Sequence, residues 1–98
     1  VGFSANAMTV FDIDDGAIDG FGERLATQPG VTLCYRRERA EGWRYNLYCM
    51  VHGRSRDETL ALLHAAIAGA GLQHEPRQIL FSRRRFKQTG ARYFRFTP

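Results

Sequence analysis

The sequence predicts an α+β fold in which strands and helices follow the order βαββαβ. Three observations support it: runs rich in β-branched and aromatic residues, two stretches with apolar residues at helical spacing, and a short polar connection between the second and third strands. Right-handed βαβ units in this order build a four-stranded antiparallel sheet with both helices on one face, the ferredoxin-like arrangement. The opposite face is then open, and such a face commonly dimerises or binds a flat molecule.

Local signals mark where the predicted elements begin and end. Asp14 or Asp15 supplies the N-cap of the first helix, and Ser55 with Glu58 forms a capping box at the start of the second. The predicted elements are strands over 7–13, 31–37, 45–52 and 78–84, a helix over 16–28, a polar turn over 38–44, a second helix that begins after Ser55 and ends at Gly69 and Gly71, and a basic, aromatic tail over 85–98.

Length and composition predict one small globular domain over residues 1–98. The chain has 98 residues, of which 44% are hydrophobic and 24% charged, and no apolar run is long enough to span a bilayer. It begins without a signal peptide, so we expect a cytoplasmic protein. The first residue is Val1 rather than Met, which leaves room for a preceding domain in the natural protein.

Cys34 and Cys49 are the only cysteines of the chain. Their separation fits no zinc motif, and the sequence contains no Cys-x-x-Cys. A disulfide between neighbouring strands is one interpretation of the pair. We favour the interpretation that both are buried free thiols in a reducing cytosol, because disulfides are rare in that compartment.

The basic residues are almost all arginine, with Lys87 the only lysine among 14 basic residues and a net charge of +4. General attraction of anions can use lysine freely, so the arginine bias points to shaped recognition of oxyanions, although a GC-rich genome gives the same bias. The chain has no Gly-rich phosphate loop, nucleophile elbow or His-x-x-x-His pair, which argues against a hydrolase or a nucleotide-transfer enzyme.

Residues 34–53 hold the densest group of candidate binding residues, with four arginines, three tyrosines, one tryptophan and one histidine. Guanidinium groups bind carboxylates through paired hydrogen bonds, and aromatic rings offer a flat surface to a flat ligand. Together they predict a site for a large, planar, anionic molecule. The alternative interpretation is that the aromatic residues fill a dimer interface and that the arginines form a solvated surface.

The predicted third strand alternates between an apolar set and a mixed set of side chains. His52 ends this strand in the mixed set, where an imidazole can donate or relay a proton; the alternative is a histidine bonded to a backbone carbonyl. Arg36 and Arg37 are consecutive, so only one of them serves the open face, and the pattern leaves open which. The expected helix-facing set is Leu47, Cys49 and Val51, and the expected open-face set is Asn46, Tyr48, Met50 and His52.

Several blocks of the sequence resemble the sirohaem decarboxylases, a family built like the Lrp/AsnC regulators. The similarity covers almost the whole chain, and the blocks occur in the family's order. These blocks are Gly2 to Met8, Gly30 to Arg37, Trp43 to Tyr48, Met50 to Arg54, Leu80 to Ser82, Arg85 to Lys87 and Arg92 to Phe94.

The resemblance implies a ferredoxin-like domain of the Lrp/AsnC type, with the family's N-terminal helix-turn-helix absent from this chain. It implies a carbon–carbon lyase that removes two acetate carboxyl groups from sirohaem, giving didecarboxysirohaem for haem d1 synthesis or an alternative haem route. It implies a homo- or hetero-oligomer with a related decarboxylase subunit, no membrane partner, and no nucleic-acid binding without the helix-turn-helix. It implies no cofactor and no protein-bound metal beyond the iron that the substrate carries.

The resemblance also suggests roles for individual residues. His52 is the first choice for the general acid that protonates the carbon after carbon dioxide has left, and Tyr45 or Tyr48 is the second. The favoured carboxylate clamps are Arg36, Arg37, Arg54 and Arg85, and the full expected substrate-binding set is Tyr35, Arg36, Arg37, Trp43, Asn46, Tyr48, Arg54, Arg85 and Lys87.

Two other functions compete with this one. A non-catalytic Lrp/AsnC-type regulatory or partner subunit has the same fold, but such ligand-binding modules take small amino acids and need few arginines. A nucleic-acid-binding sheet is suggested by the basic, aromatic segment from Arg92 to Phe96, although that segment follows the predicted fourth strand. Salt-sensitive binding to RNA, without a change in tetrapyrrole absorbance, would favour the second competitor.

Overall fold

The computed structural model describes the backbone of residues 5–82 and 94–96 and the side chains of residues 5–81. Within these ranges, no helix is long and apolar enough to cross a membrane. The predicted βαββαβ order is confirmed, with one short strand added towards the C-terminus. The elements are β1 (Ala5–Phe11), α1 (Ile18–Ala26), β2 (Val31–Arg36), β3 (Leu47–Gly53), α2 (Arg56–Ala70), β4 (Arg77–Ser82) and β5 (Phe94–Phe96).

The four longer strands form one antiparallel sheet in the order β4-β1-β3-β2, which confirms the ferredoxin-like prediction. The main core lies between this sheet and the two helices, with Leu25 of α1 and Leu63 of α2 fully buried in it. Leu47, Cys49 and Val51 are also fully buried there, so the predicted helix-facing set of β3 is confirmed.

Strand β5 lies in the segment predicted as a tail and pairs in parallel with β2. Three residues are too few to show the alternation that identifies a strand from sequence. An uncovered β2 edge would present unpaired N–H and C=O groups, and β5 satisfies some of them. In the described part of the chain, β4 and β5 are therefore the two edge strands of the sheet. Arg83 and Arg84, predicted to end the fourth strand, lie outside the described residues.

Helix α2 begins as the capping box predicts. Ser55 Oγ accepts a hydrogen bond from the backbone N–H of Glu58 at 3.1 Å. The Glu58 carboxylate reaches back to the N–H of Arg54 at 2.9 Å, one residue before the cap. Gly71 ends the helix in the left-handed region with a φ of 77°, which glycine adopts without steric cost. Gly69, predicted with Gly71 as the end of the helix, lies inside it.

Helix α1 is shorter than the predicted range 16–28, and its predicted N-cap is wrong. The N-cap residue is Ala17, with no side-chain hydrogen bond to the first turn. The Asp14 carboxylate instead accepts a hydrogen bond from the N–H of Gly16 at 3.0 Å and closes a turn before the helix. Aspartate can serve either arrangement, so the residue type alone does not fix where the helix begins.

Cys34 and Cys49 lie directly opposite each other on β2 and β3 and face the helices. Both are free thiols and are completely buried, as the favoured interpretation predicted for the two side chains. Burial raises the pKa of the Cys34 thiol to about 12, and it raises the pKa of the Cys49 thiol well above its ordinary value. Both sulfur atoms therefore belong to the apolar core.

Candidate functional site

The open face, the side of the sheet away from the helices, carries its side chains in three rows that cross the strands. A central apolar row has Met8 and Met50 paired at its middle. A tyrosine row lies on one side of it, and the polar pair Asn6 and His52 lies on the other. The apolar row consists of Leu80, Met8, Met50 and Leu33, and the tyrosine row of Val10, Tyr48 and Tyr35.

His52 lies near the end of β3 and is partly exposed on this face. Its ring nitrogen Nδ1 is 3.0 Å from Oδ1 of Asn6, the residue directly opposite on β1. Asn6 is itself buried, with 3% of its surface exposed. The imidazole is therefore held by a side-chain amide and not by the backbone carbonyl that the alternative interpretation assumed.

The aromatic candidates pack on one another at the opposite end of the open face. Tyr35 and Tyr48 stack with ring centroids 5.2 Å apart and an interplanar angle of 10°. The indole Nε1 of Trp43 donates a hydrogen bond to the Tyr48 hydroxyl at 2.6 Å, and the Trp43 ring meets Tyr45 edge-on at 5.0 Å. Tyr45 and Tyr48 are 9% and 8% exposed, whereas Trp43 is 37% exposed and offers the most surface of the four.

The structure decides which of the two consecutive arginines serves the open face. Arg36 lies on the helix side, with Nη1 3.0 Å from the Asp19 carboxylate of α1. Arg37 is exposed, and its guanidinium carbon lies 5.8 Å from the centre of the Tyr48 ring. Burial raises the pKa of Tyr35, and the charge of Arg37 partly offsets this effect. Within residues 5–81, Arg37 has no carboxylate partner.

A β-bulge in β2 explains why simple alternation left this choice open. The pairing with β3 shifts between Val31 and Leu33, so Thr32 is an extra residue on β2. Val31 and Cys34 consequently both face the helices, although strict alternation would place them on opposite faces. The bulge thereby assigns odd-numbered positions after Thr32 to the open face.

The Asp12 carboxylate binds two arginines of the loop between β2 and β3. Asp12 accepts hydrogen bonds from Nη2 of Arg39 at 2.7 Å and from Nε of Arg44 at 2.8 Å. These two bonds hold the pKa of the Asp12 carboxyl below its ordinary value. Within the loop, Arg39 Nε donates to the Arg44 carbonyl at 2.9 Å, and Ala40 and Trp43 exchange backbone hydrogen bonds. The loop that carries Trp43 is therefore fixed to the end of β1.

A cleft of about 550 Å³ lies beside this loop, at the end of β2. Two of its three arginines already bind carboxylates, Arg36 through Asp19 and Arg39 through Asp12 and Asp15. Its third arginine, Arg37, is the one placed to take an external anion. The cleft is lined by Asp15, Ile18, Arg36, Arg37, Glu38, Arg39 and Asn46.

Two further candidates from the sequence have structural partners. The amide of Asn46 is buried and bonds both backbone groups of Ile13, accepting from the N–H at 2.9 Å and donating to the carbonyl at 2.8 Å. Arg54 is 91% exposed and pairs with Glu58 at 3.2 Å, next to the start of α2. These contacts explain both residues without a ligand. Arg85 and Lys87 lie outside the described residues and stay predictions.

Sequence reasoning missed Asn6 and Asp12. Asn6 gains a role only when the register of β1 and β3 places it opposite His52. The signal for Asp12 was the acidic segment of residues 12–23, which contains no base and precedes an arginine-rich loop. Over the part of the chain with described side chains, no group of three or more His, Cys, Asp or Glu could hold a metal ion.

Comparison with known proteins identifies the family. Residues 1–87 match the model of the AsnC-like ligand binding domain. The chain belongs to this family. This AsnC-like domain is 50% identical over 94 residues to the sirohaem decarboxylase NirL subunit of Stutzerimonas stutzeri, and 46% identical over 92 residues to the sirohaem decarboxylase NirDL subunit of Paracoccus pantotrophus.

These matches cover most of this chain but only part of each relative. They span 95% and 93% of the AsnC-like domain, 55% of the NirL subunit and 28% of the NirDL subunit. Among solved structures, the domain resembles the sirohaem decarboxylase NirDL in complex with an iron-uroporphyrin III analogue, with a TM-score of 0.69 and 36% identity. That match covers 91% of this chain and 28% of the NirDL chain, so the fold described here corresponds to one part of the NirDL chain.

Proposed function

We propose that this AsnC-like domain is part of a sirohaem decarboxylase, a carbon–carbon lyase that converts two acetate arms of sirohaem into methyl groups and yields didecarboxysirohaem. The observation that carries the proposal is the layout of the open face. A row of apolar side chains lies between an imidazole at one end and a guanidinium with stacked aromatic rings at the other. That layout suits a flat pigment whose rim carries carboxylates.

The dimensions of the open face suit such a pigment. His52 and Tyr48 are four residues apart on β3, which at about 3.3 Å per residue is roughly 13 Å. A tetrapyrrole ring is comparable in width. Its apolar plane can therefore lie on the apolar row, where Leu80 is 49% exposed and Met8 is partly exposed, while its acidic rim reaches the polar pair at one end and Arg37 at the other.

The relatives support a tetrapyrrole as the ligand. All the curated relatives named above are sirohaem decarboxylase subunits, and the similar NirDL structure was solved with an iron-uroporphyrin III analogue. The relatives are named as subunits, which supports a related decarboxylase subunit as the partner of this chain. We propose that the complete site forms in that homo- or hetero-oligomer.

The reaction needs one bond broken and one proton delivered at each acetate arm. The bond between the methylene carbon and the carboxyl carbon breaks, carbon dioxide leaves, and the electron pair stays on the methylene carbon, where the macrocycle delocalises it. Protonated His52 then supplies the proton that completes the methyl group, and the imidazole takes a new proton from water. Contact with the apolar row removes water from the ionised acetate and favours its departure.

The other residues take binding roles in this proposal. Arg37 clamps a carboxylate that must stay, and Trp43 offers the exposed aromatic surface beside it. Tyr48 is the second choice for the acid, because its hydroxyl accepts from Trp43 and so keeps its own proton for donation. Tyr45 is less suited, since the Trp43 ring packs edge-on against it.

The proposal needs no cofactor beyond the iron of the substrate. We place the reaction in the cytoplasm, a compartment whose reducing conditions suit the opposed free thiols of Cys34 and Cys49. The product then enters haem d1 synthesis or an alternative haem route, as the resemblance implies.

An anaerobic titration with sirohaem tests the proposal. The full-length protein and its companion subunit are mixed with sirohaem, and binding is followed by visible absorbance. The mass of the pigment is then measured by mass spectrometry. We expect a pigment lighter by two carbon dioxide molecules. Binding without mass loss would identify a non-catalytic, AsnC-type ligand-binding subunit, and absence of any spectral change would overturn the assignment to sirohaem.

A further inference from the structure

We infer that Asn6 is a positioning residue that fixes the imidazole of His52 in its Nδ1–H tautomer and leaves Nε2 as the nitrogen that exchanges the proton. The inference deepens the proposed function and rests on it for the identity of the proton's destination. The pairing of the two side chains was not suggested by any sequence motif, and it follows from the register of β1 and β3.

The geometry supports a defined hydrogen bond between these residues. Asn6 and His52 are directly opposed across antiparallel strands, and Asn6 Oδ1 lies 3.0 Å from His52 Nδ1. That distance is within the ordinary range of an N–H···O bond. Asn6 is 3% exposed, so water does not readily replace the imidazole as its partner.

An amide oxygen only accepts hydrogen bonds, and this property determines the tautomer. The ring nitrogen that faces Asn6 Oδ1 must carry a hydrogen, both when the imidazole is neutral and when it is protonated. The hydrogen bond is therefore the same before and after proton transfer, and the ring need not turn during the reaction. Nε2 alone gains or loses a proton, while Nδ1 keeps its hydrogen bond. These are the roles expected of the two nitrogens when a second residue holds the histidine.

The arrangement also explains a polar residue at a buried site. Asn6 neighbours the apolar row, where Met8 follows two residues later on the same face of β1. An apolar residue there would leave His52 free to rotate and to carry its hydrogen on either nitrogen. Asn6 therefore serves the orientation of the imidazole.

Nitrogen NMR of the imidazole tests this inference without any substrate. The full-length protein with its companion subunit is labelled with ¹⁵N-histidine, and the His52 signals are identified by their loss in His52→Gln. We expect one protonated and one bare ring nitrogen for His52 at a pH where it is neutral, with the hydrogen on Nδ1. A hydrogen on Nε2 in the unaltered protein would overturn the inference, whether or not sirohaem proves to be the substrate.

Two variants of Asn6 separate positioning from packing. Asn6→Leu removes the acceptor, and we expect the Nδ1–H signal to be lost and kcat to fall at least tenfold with a smaller change in KM. Asn6→Asp keeps an acceptor oxygen in place and should retain the Nδ1–H tautomer. An unchanged tautomer in Asn6→Leu, or loss of the tautomer in Asn6→Asp, would contradict a positioning role.

Asn46 offers a matched control at the other end of the sheet. It is also 3% exposed, but its amide bonds the backbone of Ile13 and not a histidine. Asn46→Ala should lower the stability of the fold and leave the His52 tautomer unchanged. If Asn46→Ala moved the tautomer as far as Asn6→Leu, the effect would be a general loosening of the sheet and the inference would fail.

Discussion

His52 and Arg37 mark the two ends of the open face, and neither belongs to the main core. His52 is partly exposed and Arg37 is exposed, and the buried cluster between the sheet and the helices includes neither of them. Substitutions at these positions therefore change the surface chemistry with little cost to folding. This separation allows catalysis, binding and stability to be measured as independent quantities.

The first prediction concerns the general acid. His52→Gln should keep the thermal midpoint within a few degrees and lower kcat for carbon dioxide loss by roughly 10²-fold or more, because proton delivery typically contributes that much. Single-turnover pigment analysis by mass spectrometry measures the loss, and circular dichroism checks the fold. Full turnover by the variant would remove His52 from the mechanism and make Tyr48 the next candidate for the acid.

The second prediction concerns the carboxylate clamp. Arg37→Ala should weaken sirohaem binding by about tenfold or more, because a hydrogen-bonded pair of charged groups contributes roughly 1.5–3 kcal/mol. Arg24→Ala is the matched control, since Arg24 is an exposed arginine on helix α1 that lies over Phe21. Equilibrium titration by absorbance gives both constants, and equal weakening by the two variants would show that only total charge matters.

At the residue scale, the sequence predicted the types of residue that matter. It was less successful in predicting which individual arginine or asparagine lies free on the open face. Arginine and tyrosine pointed to an anionic, flat ligand, but the choice between Arg36 and Arg37 depended on the bulge at Thr32. Asn46 matched the binding pattern, and the structure shows it bonded to the chain at Ile13. Alternation along a strand cannot reveal an extra residue or a long-range side-chain bond.

Among the elements, the loop between β2 and β3 is held in part by the Asp12 carboxylate, which binds two of its arginines. Asp12→Asn should remove the charge that binds Arg39 and Arg44 and lower the free energy of unfolding at neutral pH by about 1 kcal/mol. The carboxyl pKa is lowered in the folded state, so its stabilising contribution is complete above the unfolded pKa and disappears as the pH falls through the folded pKa.

Urea unfolding at pH 7 and near pH 2.5 measures this contribution. The difference between the unaltered protein and Asp12→Asn should be clear at neutral pH and should shrink towards zero in acid. Glu41→Gln, an exposed carboxylate of the same loop with no ion pair within residues 5–81, should be neutral at both pH values. A constant difference across the pH range would mean that Asp12 acts through its shape and not its charge.

The start of helix α2 depends on close approach to Gly53. A Cβ at Gly53 would lie 2.5 Å from Thr59 Oγ1 and 2.8 Å from the Thr59 backbone nitrogen, so Gly53→Ala should destabilise the fold by about 1–3 kcal/mol. Gly20→Ala is the opposite case, because Gly20 is exposed within α1 and its Cβ would meet the end of the Arg24 side chain at 3.5 Å, an ordinary contact.

Comparison of the two glycine variants makes this prediction sharp. We expect Gly20→Ala to raise the unfolding midpoint, since alanine favours a helix interior over glycine by up to about 1 kcal/mol. Chemical denaturation of both variants under one set of conditions measures the contrast. If Gly53→Ala were as stable as the unaltered chain, the α2 terminus would have to shift freely away from β3.

The elements with strong local signals were predicted well. Ser55 and Glu58 act across three residues of chain, so the beginning of α2 could be read from the sequence. Strand β5 and the late start of β3 at Leu47 depend on partners elsewhere, since Asn46 donates its N–H to Phe11 and β5 pairs with β2. Such bounds are set by tertiary contacts, which local patterns do not contain.

For the molecule as a whole, the opposed thiols of β2 and β3 report on global unfolding. Burial raises the pKa of Cys34 to about 12 and also raises that of Cys49, so little thiolate is present at pH 8. We expect neither residue to be alkylated in the native protein and both to be alkylated in urea, as measured by peptide mass mapping. Rapid native labelling of either cysteine would show that the sheet opens locally without unfolding.

The βαββαβ architecture could be predicted because it depends on patterns along the whole chain and not on any single contact. Two amphipathic helices, a short hairpin connection and alternating apolar residues admit few arrangements, and right-handed crossovers select the antiparallel sheet that is observed. Leu47, Cys49 and Val51 occupied the predicted face because a one-residue slip would have moved all three out of the main core.

The surplus residue at Thr32 marks the point where β2 tolerates a change in length. Because Val31 pairs with Val51 and Leu33 with Met50, deletion of Thr32 would join two residues that already face opposite sides, and both halves of the ladder would keep their partners. Loss of Tyr35 with the upstream partners kept would instead move the following residues by one step, so that Arg36 would turn to the open face and Arg37 to the helix side. A length change of a single codon there would swap one guanidinium for another on the open face, with no amino-acid replacement at either position.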